Sequence, residues 1–215
     1  MPKVGKGQKA VNYPYSQKGS DGYLRRFEEY LPYFKEDNIS YKIQDICTDY
    51  DIRIAFNGDS KRKYYLFLLK VFRIRIKQTI QIRLAQKGFV QRNLFPLYYD
   101  QTNPILEKLA SKLCNEVIYD YWDSVWVNNE ELNRKTVKIA DTISVANEYL
   151  FSHYSKSHLN VKFFNIGINL KKYILKTTYD KQTDFLRLFY TGSPTNVRKM
   201  LKEIGDFLVD FSKGN

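Results

Sequence analysis

Glu116-Val117-Ile118-Tyr119-Asp120-Tyr121, then Glu130–Ile139, then Thr142-Ile143-Ser144-Val145 decide the fold: they read as strand, helix and strand. Both strand runs are short, apolar and rich in β-branched or aromatic residues. Working outward toward the N-terminus, Asn103–Cys114 is a predicted helix with Pro104 in its first turn. Phe89–Asn93 is a strand before it, and Ala10-Val11-Asn12-Tyr13 is a short strand near the start. Tyr23, Phe27, Tyr30, Leu31 and Phe34 have helical spacing, with Pro32 expected to kink or end that helix. Ser40–Cys47 is a second strand and Ile52–Phe56 a short third piece. Toward the C-terminus come a helix at Asn147–Tyr154, a strand at Val161–Asn165 and a polar, basic connection at Gly167–Lys181. Strands alternating with helices predict an α/β chain with a Rossmann-like parallel sheet covered by helices on both faces.

The connection after Gly167 is the best domain boundary, giving a first domain over residues 1–170 and a second segment over 171–215. That segment holds Leu186-Arg187-Leu188-Phe189-Tyr190 as a strand, Thr191-Gly192-Ser193-Pro194 as a turn and Thr195–Val209 as a helix. Such a turn leaves backbone N–H groups and a helix N-terminus free for a phosphate. It is expected to be the first βα unit of a second, truncated Rossmann-like domain.

Lys61–Ala85 admits two readings. Tyr65, Leu68, Leu69, Phe72, Ile76, Ile80 and Leu84 form a helical stripe, while Ile74, Ile76, Ile80, Ile82 and Leu84 alternate like a strand. Length and the Lys/Arg-studded surface favour a helix for its first part.

The 215 residues are 43% hydrophobic and 16% aromatic, with ten Gly and six Pro, which marks a folded globular chain. Cys47 and Cys114 have no paired spacing and read as reduced residues of a cytosolic protein. No signal-peptide pattern is visible, and no apolar run approaches the ~20 residues that span a bilayer. The net charge of +12 is local. From Ser60 to Tyr99 there is no Asp or Glu, and Lys61, Arg62, Lys63, Lys70, Arg73, Arg75, Lys77, Arg83, Lys87 and Arg92 leave only +2 for the remainder.

In an open parallel sheet, functional residues gather outside the carboxyl ends of the strands. The turns there supply Gly19-Ser20, Gln91-Arg92, Asp120 with Asp123, Ala146-Asn147, Asn165 to Gly167, and Gly192-Ser193. Five runs in this order resemble the family 4 glycosyltransferases (the glycosyltransferase group 1 class). They are Val90-Gln91-Arg92-Asn93-Leu94-Phe95-Pro96, Val117–Trp126, Ala140–Leu150, Phe164-Asn165-Ile166-Gly167-Ile168-Asn169 and Tyr190-Thr191-Gly192-Ser193-Pro194-Thr195-Asn196. The stretch before Phe89 resembles the family only through Gly19-Ser20-Asp21 and the helix after it. Trp122 stands where the family carries the middle Asp of an acidic triple.

The resemblance implies a GT-B fold: two facing Rossmann-like domains, no metal and no cofactor beyond a nucleotide sugar as donor. The N-terminal domain takes the acceptor, a glycan or lipid-linked molecule of polysaccharide or cell-envelope synthesis. On this reading Asp120 is the catalytic candidate, and Gly19, Ser20, Gln91, Arg92, Asp123 and Asn147 contact the acceptor. Asn165, Gly167, Gly192 and Ser193 approach the donor. Family members continue well beyond a first βα unit, so this chain is expected to be incomplete alone, or complemented by a second chain that supplies the donor domain.

Other readings stay open at single residues. Asp120 could end a strand or cap a turn, and Gln91 and Arg92 could form a structural network at the sheet edge. Glu28 and Glu36 have the spacing of the family's donor-side Glu pair but lie in the first domain, with Pro32 between them. Asp49-Tyr50-Asp51 matches the metal-binding motif of the other glycosyltransferase fold class and is read as a solvated loop. His153 and His158, five apart, do not share a helix face as a metal pair would.

For the basic segment, a helix with Tyr, Phe and Leu on one stripe and Lys/Arg around it is expected at an anionic membrane surface. Lys61, Arg62, Lys63, Lys70, Arg73, Arg75 and Lys77 are its predicted lipid contacts, at the inner face of the cell membrane. Nucleic acid ranks below this, because no recognised motif accompanies the interleaved aromatics. The alternative to an enzyme is a non-catalytic membrane- or nucleic-acid-binding α/β module.

Overall fold

Among the described residues, six strands form one all-parallel sheet in the order β2-β1-β3-β4-β5-β6. They are β1 (Lys9–Tyr13), β2 (Ser40–Ile43), β3 (Lys87–Gln91), β4 (Glu116–Tyr121), β5 (Thr142–Val145) and β6 (Val161–Phe163). The computed structural model describes residues 9–15, 18–48, 51, 60–96, 98, 100–164 and 194–213. The chain divides into two compact units, Met1–Leu170 and Lys171–Asn215.

The first unit is an α/β fold of Rossmann-like type. Between its strands lie α1 (Asp21–Arg26), α2 (Leu31–Glu36), α3 (Lys61–Gln81), α4 (Ile105–Leu113), α5 (Glu130–Val137) and α6 (Glu148–Tyr154). Right-handed crossovers put helices on opposite faces when the strand order reverses. Thus Ile82, Leu106, Ala110, Val137, Leu150 and Tyr154 share one core with Val11, Tyr13, Val90, Val117, Tyr119, Tyr121, Ile143 and Val145. The alternate residues of the same strands face the other way, where Phe27 after α1 meets Phe89 edge-on at 6.1 Å. The reversal falls between β1 and β3, which are directly paired. That is the topological switch point, and its carboxyl end is where open sheets of this kind hold ligands.

Local chemistry explains the elements. Pro32 stands at the start of α2, so the predicted Tyr23–Phe34 helix is broken into α1, a 3-10 turn at Glu28–Tyr30, and α2. Asn129 caps α5 by accepting from the Leu132 N–H at 3.0 Å, and Asn147 caps α6 through the Leu150 N–H at 2.9 Å. Lys61–Gln81 is helical throughout and runs into a 3-10 turn at Ile82–Leu84, so the strand-like alternation of its isoleucines is not used. The turn packs its Ile82 Cδ1 so close to β3 that a Cβ at Gly88 would stand 2.6 Å away. Cys47 and Cys114 are both free thiols.

In the second unit the described element is α7 (Pro194–Lys213), which begins at its proline and extends past the predicted Thr195–Val209. The predicted pieces Ile52–Phe56, Gly167–Lys181 and Leu186–Tyr190, and residues 191–193 of the turn, lie outside the described residues. Among the described residues no helix is long and apolar enough to cross a membrane.

Candidate functional site

The carboxyl ends of β3 and β4 bring four of the predicted site residues together. Gln91 and Asp120 are register partners across the two strands, and the Arg92 N–H donates to the Asp120 carbonyl at 3.1 Å. The Gln91 side chain is buried and accepts from the Tyr15 N–H at 3.0 Å, tying the loop after β1 to β3. Arg92 leaves the strand with φ 63°, a left-handed conformation rare outside glycine. That turn sends its guanidinium over the Tyr15 ring, at 4.7 Å from the centroid, and into an ion pair with Asp123. Asp123 is more than half exposed, so this pair forms the rim of the site.

Asp120 points to the opposite face of β4 from Tyr119 and Tyr121. Its Oδ1 accepts from the Ser144 hydroxyl at 2.8 Å, and its Oδ2 lies 3.1 Å from Arg26 Nε. The two charges attract without an aligned hydrogen bond, since neither atom completes one. Arg26 is held from both sides: Trp122 and Phe164 each place a ring 5.1 Å from its guanidinium carbon, and Nη1 donates to the Phe164 carbonyl at 2.7 Å. Burial outweighs the Arg26 charge and the Ser144 bond, and pushes the Asp120 carboxyl up to about 6. Trp122, where the resembled segments have an acid, thus serves as a lid over a buried cation.

Asp120, the catalytic candidate, is placed by this geometry inside the protein. Its side chain is 0% exposed, so in this structure Asp120 stands behind the surface and positions Arg26 and the end of β4. Gly19, at φ +88°, faces a separate hollow with Lys18, Glu28, Asp45, Cys47 and Thr48, beyond β1 and β2. Ser20 caps α1, accepting from the Tyr23 N–H at 3.4 Å. Asn147 is the α6 cap at the end of β5. None of these three shares a contact described here with the Arg92–Asp123 pair. Asn165, Gly167, Gly192 and Ser193 lie outside the described residues.

Nothing local to Arg26, Ser144 or the Phe164 carbonyl singles them out as site groups. Arg26 reads as one more basic residue at a helix end, and only the folded sheet brings it to Asp120.

The basic segment also needs one correction. Arg75 is 0% exposed and points inward, donating to the Pro14 carbonyl at 2.5 Å and, through Nη1, to the Gln44 carbonyl and Gln78 Oε1, both at 2.9 Å. It ties the loops after β1 and β2 to α3 and cannot also face lipid. Burial pushes it down to about 9, so it stays charged at neutral pH. Lys61, Arg62, Lys63, Lys70, Arg73 and Lys77 are exposed, with Lys70 held 2.6 Å from Asp51. Among them Leu66, Leu69, Ile80 and Leu84 are exposed as well. Arg62, Leu66, Leu69, Arg73, Lys77, Ile80 and Leu84 follow one another at three- and four-residue steps, so one ridge of α3 and its 3-10 extension mixes cations with bare aliphatic side chains.

Among the described residues, no group of three or more His, Cys, Asp or Glu side chains is placed to hold a metal. The chain matches no protein-family model and no curated protein.

Proposed function

We propose that the first unit is the acceptor-side half of a sugar transferase of the GT-B kind. It would work at an anionic membrane surface on a glycan or lipid-linked acceptor, with a nucleotide sugar as donor. The observation that carries this reading is the Arg92–Asp123 pair, set by a left-handed turn at the carboxyl edge of the switch point and backed by the buried Arg26–Asp120–Ser144 cluster. A strained arginine paired with an exposed carboxylate is a costly arrangement for a sheet edge that does nothing. The five ordered sequence runs that resemble family 4 glycosyltransferases support the same reading.

In the proposed reaction an acceptor hydroxyl forms its bond to the anomeric carbon as the bond to the nucleoside diphosphate breaks. Asp123, at the rim, is the carboxylate within reach of that hydroxyl and takes up its proton. Arg92 holds Asp123 in place, and Asp120 keeps the strand end rigid beneath both. The charge that develops on the leaving diphosphate calls for hydrogen-bond donors on the donor side.

The test is transfer of label from a panel of nucleotide sugars into lipid and glycan extracts. It is run with the chain alone and in lysates of cells that express it, where a second chain is present. Incorporation that falls at least tenfold in Arg92→Gln and further in Asp123→Asn supports the assignment. Incorporation indifferent to both variants, or none with any donor in either setting, overturns it.

The exposed ridge of α3 supports the membrane part of the reading. It would lie along the headgroup region, with Leu66, Leu69, Ile80 and Leu84 entering the acyl boundary and Arg62, Arg73 and Lys77 meeting anionic lipid.

A further inference from the structure

The face of the sheet that carries Phe89, turned away from the core under α3 to α6, holds a hollow of about 130 Å³. Its floor is a row of register partners: Asn12 on β1, Phe89 on β3, Ile118 on β4 and Thr142 on β5. Strands lie ~4.8 Å apart, so this row runs about 14 Å across the sheet. The aromatic walls brace one another. Phe34 stacks on Tyr41 at 4.6 Å, and Phe164 meets Phe89 edge-on at 5.9 Å. Three polar side chains of the lining are matched within the protein. The Thr142 hydroxyl accepts from the Asn160 amide at 2.6 Å, the Ser144 hydroxyl donates to Asp120 at 2.8 Å, and Lys87 Nζ lies 2.5 Å from Glu116. Asn12 differs: it is 4% exposed, and its side-chain amide nitrogen has no hydrogen-bond partner. A buried donor without a partner is costly, and one that lines a hollow marks where an acceptor arrives from outside.

We propose that this hollow binds the alkyl chain of an uncharged carbonyl compound, laid across the strands with its oxygen on the Asn12 amide. The long row and the Phe34, Ile39, Phe89, Ile118 and Phe163 side chains along it suit an extended hydrocarbon. Neutrality follows from the charges. Lys87 is met by Glu116, and Lys162, exposed on β6, stands four strands from Asn12, about 19 Å away. A carboxylate at Asn12 would give up its water for one neutral donor, which does not offset the burial of a charge. A carbonyl oxygen asks for no more than that donor. Binding here is independent of sugar transfer, since the hollow and the Arg92–Asp123 rim share no lining residue.

The test titrates the ¹⁵N-labelled full chain with methyl propyl, methyl pentyl and methyl heptyl ketone. Octanoate, which carries the same heptyl chain, is the charged control. The expected result is saturable shifts at the amides of Asn12, Phe89 and Ile118, with affinity rising about fourfold for each added methylene. Octanoate should bind more weakly than methyl heptyl ketone. Asn12→Leu removes the unpartnered amide and should fold with an unchanged or higher Tm. It should weaken every ketone about tenfold, the equivalent of one hydrogen bond, and leave the gain per methylene as it was. Ala10→Leu fills the floor but keeps the amide, and should remove the gain per methylene instead. Monomeric dihexanoylphosphatidylcholine separates two sources of the chain. Binding with the same dependence on Asn12 assigns a lipid acyl ester, and binding of the ketones alone a free molecule, either one in keeping with the proposal. No saturable shift with any ketone means that the hollow is closed to outside ligands and overturns it. So does affinity indifferent to chain length or to Asn12→Leu, or octanoate binding tighter than its ketone.

Discussion

Arg26 Nε stands 3.1 Å from Asp120 Oδ2, and both side chains are wholly enclosed. One residue belongs to the first helix of the chain and the other to the fourth strand. Removing one member of a buried pair leaves the other charge uncompensated, at a typical loss of ~3–5 kcal/mol. Arg26→Met should therefore lower the urea-unfolding free energy by roughly that amount at pH 8. At pH 5 the loss should be much smaller, because Asp120, without its cation, is then protonated.

Asp120 itself sets a pH dependence. Burial raises it from the ordinary 3.8 to about 6. Between those values the folded chain holds a proton that the unfolded chain has released. The contribution to stability is therefore complete below the ordinary value and is lost as pH rises through 6, with no further change above. Asp120→Asn lacks this component. Relative to the native chain, the variant should gain on the order of 2–3 kcal/mol between pH 4 and pH 7, read from urea midpoints at each pH.

Arg75 and Arg73, two residues apart, should respond very differently to mutation. Arg75→Met strands the Pro14 and Gln44 carbonyls and should cost at least ~3 kcal/mol in thermal or urea unfolding. Arg75→Lys should recover little, since a single ammonium cannot span three acceptors arranged for a planar fork. Arg73→Ala, on the exposed ridge, should change stability by less than about 0.5 kcal/mol.

That ridge makes its own prediction. Each exposed cation near an anionic surface contributes about 1 kcal/mol, so Arg62→Ala, Arg73→Ala and Lys77→Ala together should weaken partitioning onto phosphatidylserine vesicles about a hundredfold. Rising salt should weaken the native chain in the same direction. Leu66→Ser with Leu69→Ser should remove the part that survives high salt. Flotation that is unchanged in the triple variant, or binding to single-stranded RNA in place of vesicles, would remove the membrane from the proposed function.

Gly88 tests how closely α3 is locked to the sheet. Gly88→Ala sets a methyl against Ile82 Cδ1 and should cost ~1–3 kcal/mol in unfolding free energy. Ile82→Val removes that terminal carbon. The double variant should be more stable than the sum of the two single losses predicts, and strict additivity would show that the contact is relieved by backbone movement instead.

The sequence was most readable where one segment decides its own conformation. β4 and β5 fall at the predicted Glu116–Tyr121 and Thr142–Val145 because each is an apolar run bounded by polar turns. The caps Asn129 and Asn147 and the break at Pro32 are equally local. What escaped was every feature created by distant segments meeting. Arg75 is chemically identical to Arg73, and only the loops after β1 and β2 make it an internal residue. Asp120 stands at a carboxyl strand end, where an exposed role is the ordinary expectation, but Arg26, Trp122 and Phe164 close over it.

The bond from Arg26 Nη1 to the Phe164 carbonyl spans 138 residues of sequence. Its consequence is temporal. While the chain is being made, the first helix has neither its counter-charge nor its aromatic cover until β4 and the strand end at Phe164 have left the ribosome. Closing so long a loop is entropically slow. Enclosure of Arg26 is therefore a late event, and a cationic, half-finished N-terminal segment waits for the last strand of its own unit.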